Sequence, residues 1–501
     1  MRLKITTFTC LGLLATFIFA RAGEQSELAR AVAAGEAPGF PVSFSSYRGE
    51  LNTLPIGVFD SGIGGLTVLA GLLSLDSFDN RSHRPGGDGR PDFESERFVY
   101  LGDQANMPYG NYAAEDGVDF LRELVVKDGI FLLGDRYWPA GQAGRLRRDK
   151  PPVKAIVIAC NTATAYGLED LRSAMELWGL PVAVIGVVEA GAEGTLESAD
   201  SGSAVAVMAT VGTCSSGGYV RAIEKAFNRC NRQGPAVVQQ GCLGLAGAVE
   251  GDASYLDPGG TGSGEAYRGP AAGNPDAPLD TALVELYGFD PEGILGAPQD
   301  PAGWRLNSVE NYIRYHCLSL VENYRQAGGL RPIGTVVLGC THFPYYRESF
   351  LASFRRLREF ASAEGGRPYA GLLADSLVMI DPALLTAEEL YLALCERRLL
   401  LAEGEEPLVS TDEFYISVPN SDLEGVELTP AGAFSYSYKY GRRAGRVELE
   451  YVKRVPMSAA DLSPGAIGQI RTGMPEVWKR MVEFSRKSSR CAGLPDSLKF
   501  Q

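Results

Sequence analysis

The sequence predicts an α/β fold. It reads as two pseudosymmetric doubly wound domains with mainly parallel sheets facing a shared cleft, plus a β-containing C-terminal extension. Two observations carry this. Apolar, β-branched segments alternate with helix-like segments, the pattern of parallel α/β sheets. The two halves also echo each other. PIGVFDSGIGGLTVL (55–69), ERFVYLGDQANMPYGNY (96–112) and AIVIACNTATAYGLEDLR (155–172) form the first set. AVAVMATVGTCSSGGYVRAI (204–223), AVVQQGCLGLAGAVE (236–250) and GTVVLGCTHFPYYRESF (334–350) form the second. In a duplicated unit of this kind, loops at the strand C-termini build a site between the domains.

The elements divide the chain as follows. A first α/β domain spans 55–200 and is completed by 345–420, a second spans 203–344, and 421–501 is the extension. Residues 76–95 read as a turn-rich surface loop and 133–152 as a solvated basic run. Within a flexible insertion at 251–306, DPGGTGSGEAYRGPAAGNPDAP is too rich in Gly and Pro for a core element. It lacks the GK[ST] ending of a phosphate loop. EFYISVPN (413–420), FSYSYKYGRR (434–443) and RVELEYVKR (446–454) alternate like exposed strands, the last two as a hairpin.

At 501 residues, with 45% apolar and 22% charged residues, the chain has ordinary globular composition and room for well-formed cores. Its net charge of −14 argues against nucleic acid or an anionic membrane as the main partner. An anionic small molecule would need a local cluster of donors. Residues 1–22 carry Arg2 and Lys4, an apolar run from Phe8 to Ala20, and an A-x-A site at Ala20-Arg21-Ala22. They read as a secretory signal peptide, with an uncleaved N-terminal anchor as the alternative. The expected location is therefore periplasmic or secreted, with no stable membrane insertion after cleavage. Eight cysteines remain beyond Cys10, at spacings unlike a disulfide scaffold or a zinc site.

Two of those cysteines stand apart. Cys340 ends the apolar strand of VVLGCTHFP beside Thr341 and His342, and Cys160 ends that of AIVIACNTATA beside Asn161 and Thr162. A free Cys is commonly a small buried hydrophobe. Two at matching positions of an internal repeat, followed by hydrogen-bonding side chains, point to thiol chemistry. At a strand-to-helix junction, amide N–H groups stabilise a thiolate. In FDSGIGGLTVL, Asp60 and Ser61 precede glycines and a helix start, so either caps the helix or serves a ligand. His83 and His316 have no motif around them and read as surface or packing residues.

These motifs together resemble the cofactor-independent amino-acid racemases of the aspartate/glutamate racemase superfamily. The matching stretches are IGVFDSGIGGLTVL, YLGDQANMPYG, IVIACNTATA, VMATVGTCSSGGY, the QQGC…VE segment and VVLGCTHFP. The resemblance implies that one thiolate removes the Cα proton and an opposing thiol returns one. Cys160 would act on the D-enantiomer and Cys340 on the L-enantiomer, with Asp60 and His342 assisting. Glu250 aligns with a third polar group, in a neighbourhood (CLGLAGAVE) that departs from the family pattern. Ser61, Tyr109, Gly110, Asn161, Thr162, Thr341 and His342 match positions that hold the substrate, and Thr210 and Thr213 a loop that contacts it. Cys214 is not expected to be catalytic.

Thr164 and His342 favour the glutamate-specific branch over the aspartate-specific one. Broader amino-acid racemases, or an inactive amino-acid-binding protein on the same fold, are the alternatives. No cofactor is implied, because the thiol pair replaces an electron sink such as PLP, and no metal is expected. The partner is a small amino acid, and a homodimer is possible by analogy. Such racemases ordinarily supply D-glutamate for peptidoglycan precursors made in the cytoplasm. An exported copy would instead interconvert free amino-acid enantiomers in the envelope.

Overall fold

The computed structural model describes residues 26–139, 145–199, 202–257, 267–362, 365–402 and 404–501. The proposed signal peptide, 1–22, lies outside the described residues.

In the first lobe, β1 (Ile56–Asp60) lies between β2 (Phe98–Gly102) and β3 (Ala155–Ile158), parallel to both. β4 (Ala183–Gly186) extends the sheet beyond β3. In the second lobe, β5 (Ala204–Ala209) lies between β6 (Ala236–Gly241) and a later strand. The insertion that follows contributes a two-residue ladder, β7 (Ile294–Leu295) with β8 (Arg305–Leu306). β9 (Ile333–Gly339) then pairs with β5, and β10 (Leu373–Ile380) with β9, all parallel. The chain returns to the first sheet with β11 (Glu413–Pro419), parallel to β2, and ends it with β12 (Val452–Pro456), antiparallel to β11. The orders are β12-β11-β2-β1-β3-β4 and β10-β9-β5-β6.

The central strands of both sheets are covered on both faces, which is why they read as continuous apolar runs, whereas the outer β6 and β10 are partly exposed. Ile56 and Val58 enter one core while Phe59 enters the other. Ala204, Ala206 and Met208 alternate in the same way with Val205, Val207 and Ala209. Each sheet reverses its winding at one point, between β1 and β3 in the first and between β5 and β9 in the second. Such switch points open a crevice beyond the strand C-termini.

Several sequence expectations differ from the structure. β10 and the helix Arg347–Glu359 belong to the second lobe, so the chain rejoins the first near Pro382 rather than at 345. β11 is an interior strand, since Phe414, Tyr415 and Ile416 are buried on both faces. The expected hairpin does not form. Residues Tyr436–Gly441 are helical, with Ser435 as N-cap accepting from the Tyr438 amide, and β12 pairs with β11 instead. The alternation of Tyr and Ser there was mistaken for a strand period, whereas the cap decides for helix.

The extension is part of the first lobe's core. Its helix Pro475–Lys487 presents Val477, Met481 and Phe484 to the face lined by Leu66 and Leu69. The described parts of the 251–306 insertion are packed as well, with Tyr255, Leu279 and Tyr287 buried in the second lobe.

Candidate active site

Both cysteines stand just beyond the strand across the switch point of their own sheet. Cys160 follows β3 and is the N-cap of the helix Asn161–Trp178, where its Sγ accepts from the Ala163 amide at 3.4 Å. The Cys160 thiol in turn donates to the Ser61 hydroxyl, just past β1, at 3.7 Å. Burial pushes the Cys160 thiol well above its ordinary range, and the neighbouring Asp60 carboxylate adds to this. Both effects outweigh the capping amide.

Cys340 follows β9, but no helix starts there. Thr341 and His342 form a turn into the short 3-10 segment Pro344–Tyr346, and the helix begins only at Arg347. The group beside this sulfur is therefore an imidazole, with His342 Nδ1 3.5 Å from Cys340 Sγ. On its other side, His342 Nε2 lies 2.7 Å from Glu250 Oε1. Burial alone would pull the imidazole pKa down. Hydrogen bonds and charge from Cys340 and Glu250 prevail and hold it well above 6.5. Each ring nitrogen of His342 thus has a neighbour that favours the protonated ring.

Asp60 is fully buried, and the capping reading of it holds. Its Oδ2 accepts from the amides of Gly62 and Gly65 at 3.1 and 3.0 Å, which caps the loop. Its Oδ1 lies 3.5 Å from the Thr341 hydroxyl of the opposite lobe. Burial raises its pKa, against the His342 charge and the two amides.

A small cavity lies between the two thiols. The first lobe lines it with Ser61, Tyr109, Gly110, Cys160, Asn161 and Thr162, and the second with Thr210, Cys340, Thr341 and His342. Asp60 and Glu250 stand behind this wall. The lobes approach closely enough that glycine is required. A Cβ on Gly64 would sit 2.7 Å from Thr341 Oγ1, and one on Gly110 2.8 Å from Thr210 Cβ. Thr162 Oγ1 meets Thr210 Oγ1 at 2.9 Å and Thr213 Oγ1 at 3.0 Å, tying the first lobe to the second.

Two substrate-site candidates have side chains already committed. The Tyr109 hydroxyl donates to Asp103 and Asp128, at 2.5 and 2.8 Å, so it offers the cavity its backbone and ring. Asn161 Oδ1 accepts from the Tyr219 hydroxyl, leaving its NH₂ for a ligand. Gln104 was missed. Its Nε2 donates to Glu250 Oε2 at 3.1 Å, and its place in the YLGDQANMPYG segment was the available signal. Tyr219 was missed because nothing near it in sequence marks it.

His316 is buried and donates from Nε2 to the Leu243 carbonyl, with its pKa lowered to about 4 by burial. His83 Nδ1 lies 2.8 Å from the Tyr391 hydroxyl. Neither faces the cavity. Cys214 does not line it either, and burial raises its thiol to about 12. Among the described residues no cluster of three or more His, Cys, Asp or Glu could hold a metal ion.

Residues 127–251 match the family model described as Asp/Glu/Hydantoin racemase. That segment holds Cys160, Asn161, Thr162, Thr210 and Glu250. Among curated relatives, the glutamate racemase of Oceanobacillus iheyensis is 35% identical over 34% of this chain and 46% of its own length. That of Limosilactobacillus fermentum is 31% identical over 40% of this chain and 61% of its own. The chain thus spans about half the length of these relatives. The Clostridium novyi glutamate racemase matches at 26% identity over 74% of this chain and 95% of its own. Among solved structures, glutamate racemase from Francisella tularensis in complex with D-glutamate is 20% identical, with a TM-score of 0.40. It covers 79% of this chain and 96% of its own.

Proposed function

We propose that the protein is a cofactor-independent glutamate racemase that inverts Cα with the thiol pair Cys160 and Cys340. The observation that carries this reading is the placement of two cysteines, one from each lobe, on one cavity lined by hydroxyl, amide and imidazole groups. Inversion needs a base on one face of the stereocentre and an acid on the other. Cys suits both roles because its two protonation states are accessible to enzymes and the thiolate works well when desolvated.

With L-glutamate bound, the Cys340 thiolate takes the Cα proton and becomes a thiol. The electron pair remains on Cα, delocalised into the carboxylate. The Cys160 thiol then delivers its proton to the opposite face and becomes the thiolate. D-glutamate leaves with the thiol and thiolate exchanged, and loss of a proton from Cys340 to solvent with uptake of one by Cys160 restores them for the next turnover. The imidazolium of His342 offers an N–H to Cys340 and balances charge there. Cys160, raised by burial and by Asp60, starts as the proton donor. Ser61, Thr162, Thr210 and Thr341 supply hydroxyls and Asn161 an amide for the carboxylates, the local donor cluster that a chain of net charge −14 requires. Export by cleavage after Ala22, and action on free amino acids in the envelope, complete the proposal.

Proton NMR of the mature chain with L-glutamate, and separately with L-aspartate, in deuterated water under reducing conditions tests the reading. The expected result is loss of the Cα proton signal with appearance of the D-enantiomer, abolished in Cys160→Ala and in Cys340→Ala. No exchange with either amino acid in folded, reduced protein would instead favour an amino-acid-binding protein.

A further inference from the structure

One wall of the cavity, Met107–Gly110, is held from behind by residues outside the repeated core. Lys439 Nζ donates to the Met107 carbonyl at 2.6 Å and the Tyr440 hydroxyl to the Pro108 carbonyl at 3.1 Å. Arg442 donates to the Asn106 side-chain oxygen at 2.7 Å and to the Tyr112 hydroxyl at 3.2 Å. Arg454 of β12 donates at 2.7 Å to Asp128, the same carboxylate that accepts from Tyr109. Residues 439–442 therefore hold the 106–112 loop at Asn106, Met107, Pro108 and Tyr112, and Arg454 reaches Tyr109 through Asp128.

A second set of contacts crosses the cleft. Asn111, next to the cavity-lining Gly110, donates both to the Tyr440 hydroxyl at 3.3 Å and to the Tyr255 hydroxyl of the second-lobe insertion at 3.1 Å. Arg268, also of the insertion, stacks its guanidinium 3.4 Å from the ring centroid of Tyr436. An Arg against an aromatic face is attractive, more so where water is excluded. Tyr436 in turn donates to Glu115 of the first lobe.

We infer that Lys439 and Tyr440 are positioning residues for the Met107–Gly110 wall, and that Asn111 clasps this brace to Tyr255 across the mouth of the cleft. This rests on the racemase reading of the cavity. The two segments that sequence reading set aside as insertion and extension meet at one side chain beside the site. The wall offers the substrate backbone groups rather than reacting ones, so loosening it removes binding that the ground and transition states share.

The test uses the full chain, with Tyr440→Phe, which removes only a hydroxyl, and Lys439→Met, with Lys439→Arg as the conservative rescue. Hydrogen exchange followed by mass spectrometry needs no substrate. Peptides spanning 104–112 are expected to exchange about fivefold faster in Tyr440→Phe and Lys439→Met, with the helix Val309–Gln326 unchanged. With L-glutamate as probe, KM is expected to rise about fivefold while kcat stays within about twofold, and Lys439→Arg to restore both readouts. Unchanged exchange at 104–112, or faster exchange throughout the chain, overturns the inference. An active parent whose variants keep the parental KM overturns it too. If the parent itself turns over no amino acid, the racemase reading fails, and exchange at 104–112 alone decides the brace.

Discussion

His342 bridges Cys340 and Glu250, with Nδ1 3.5 Å from the sulfur and Nε2 2.7 Å from a carboxylate oxygen. Glu250 is fixed in turn by the Ile63 amide at 3.3 Å and by Gln104 at 3.1 Å. A relay of this kind joins the first lobe's loop to the second lobe's thiol. It also accounts for the raised pKa of a buried imidazole. Burial disfavours the cation, and two hydrogen-bonded partners outweigh that cost.

Glu250→Gln should therefore lower the pKa of His342, because it removes a carboxylate that favours the cation, a change read from its ring protons by NMR. The sign follows from the direction of the shift. A raised folded-state pKa gives stability that is fully present below the ordinary 6.5 and is lost as pH rises through the folded value. The parent should lose more stability on the alkaline side than the variant does. kcat/KM for L-glutamate should fall about tenfold, equivalent to about 1.4 kcal/mol. An identical ring titration in parent and variant would remove Glu250 from the relay.

Gly64 lies where the lobes touch, and an added methyl there would sit 2.7 Å from Thr341 Oγ1 and 2.8 Å from His342 Cε1. Gly64→Ala should cost about 1–3 kcal/mol by overpacking. It should also displace His342, so activity should fall further than stability alone would require. Gly493→Ala is the control, since a Cβ there meets nothing within 4 Å. Equal kinetics for the two variants would show that close approach at Gly64 does not position the imidazole.

Where sequence and structure agree, the reason is local. Cys160 and Cys340 were legible because a strand period ends in a polar turn at matching points of a repeat. Asp60 was legible as a cap, and one of its oxygens accepts the loop amides while the other meets Thr341 of the opposite lobe. What could not be read is what depends on distant partners. β12 becomes a strand only because β11 offers it an edge, and Tyr436–Gly441 follows its cap rather than its alternation. Gln104 and Tyr219 reach the site only through folding, from positions 146 and 58 residues away from their partners.

The extension's place in the first core makes a stability prediction. Phe484 is fully buried, and its ring lies 5.9 Å from that of Phe414 and 6.2 Å from that of Tyr415 on β11. Phe484→Ala should destabilise the chain by about 3–5 kcal/mol, measured by urea unfolding. Leu330, 94% exposed, should change stability by no more than about 0.5 kcal/mol on truncation to Ala. A small effect at Phe484 would mean the extension folds apart from the lobe.

The thiols give the last prediction. All eight cysteines from Cys160 to Cys491 are free in the structure, and of these only Cys230 is exposed. An exported protein meets an oxidising compartment, where exposed thiols pair or oxidise. Burial shields the two cavity thiols from that fate in the closed molecule, each being about 5% exposed. Protein recovered from the envelope should therefore begin after Ala22 and titrate eight thiols when denatured without reductant, or seven if Cys230 has been modified. Intact-mass analysis reads the N-terminus and thiol labelling reads the count. A Cys160–Cys340 disulfide in that material would sink the proposal of an active envelope enzyme, because neither sulfur could then carry a proton. A chain still beginning at Met1 would instead make residues 1–22 an anchor or a cytoplasmic segment.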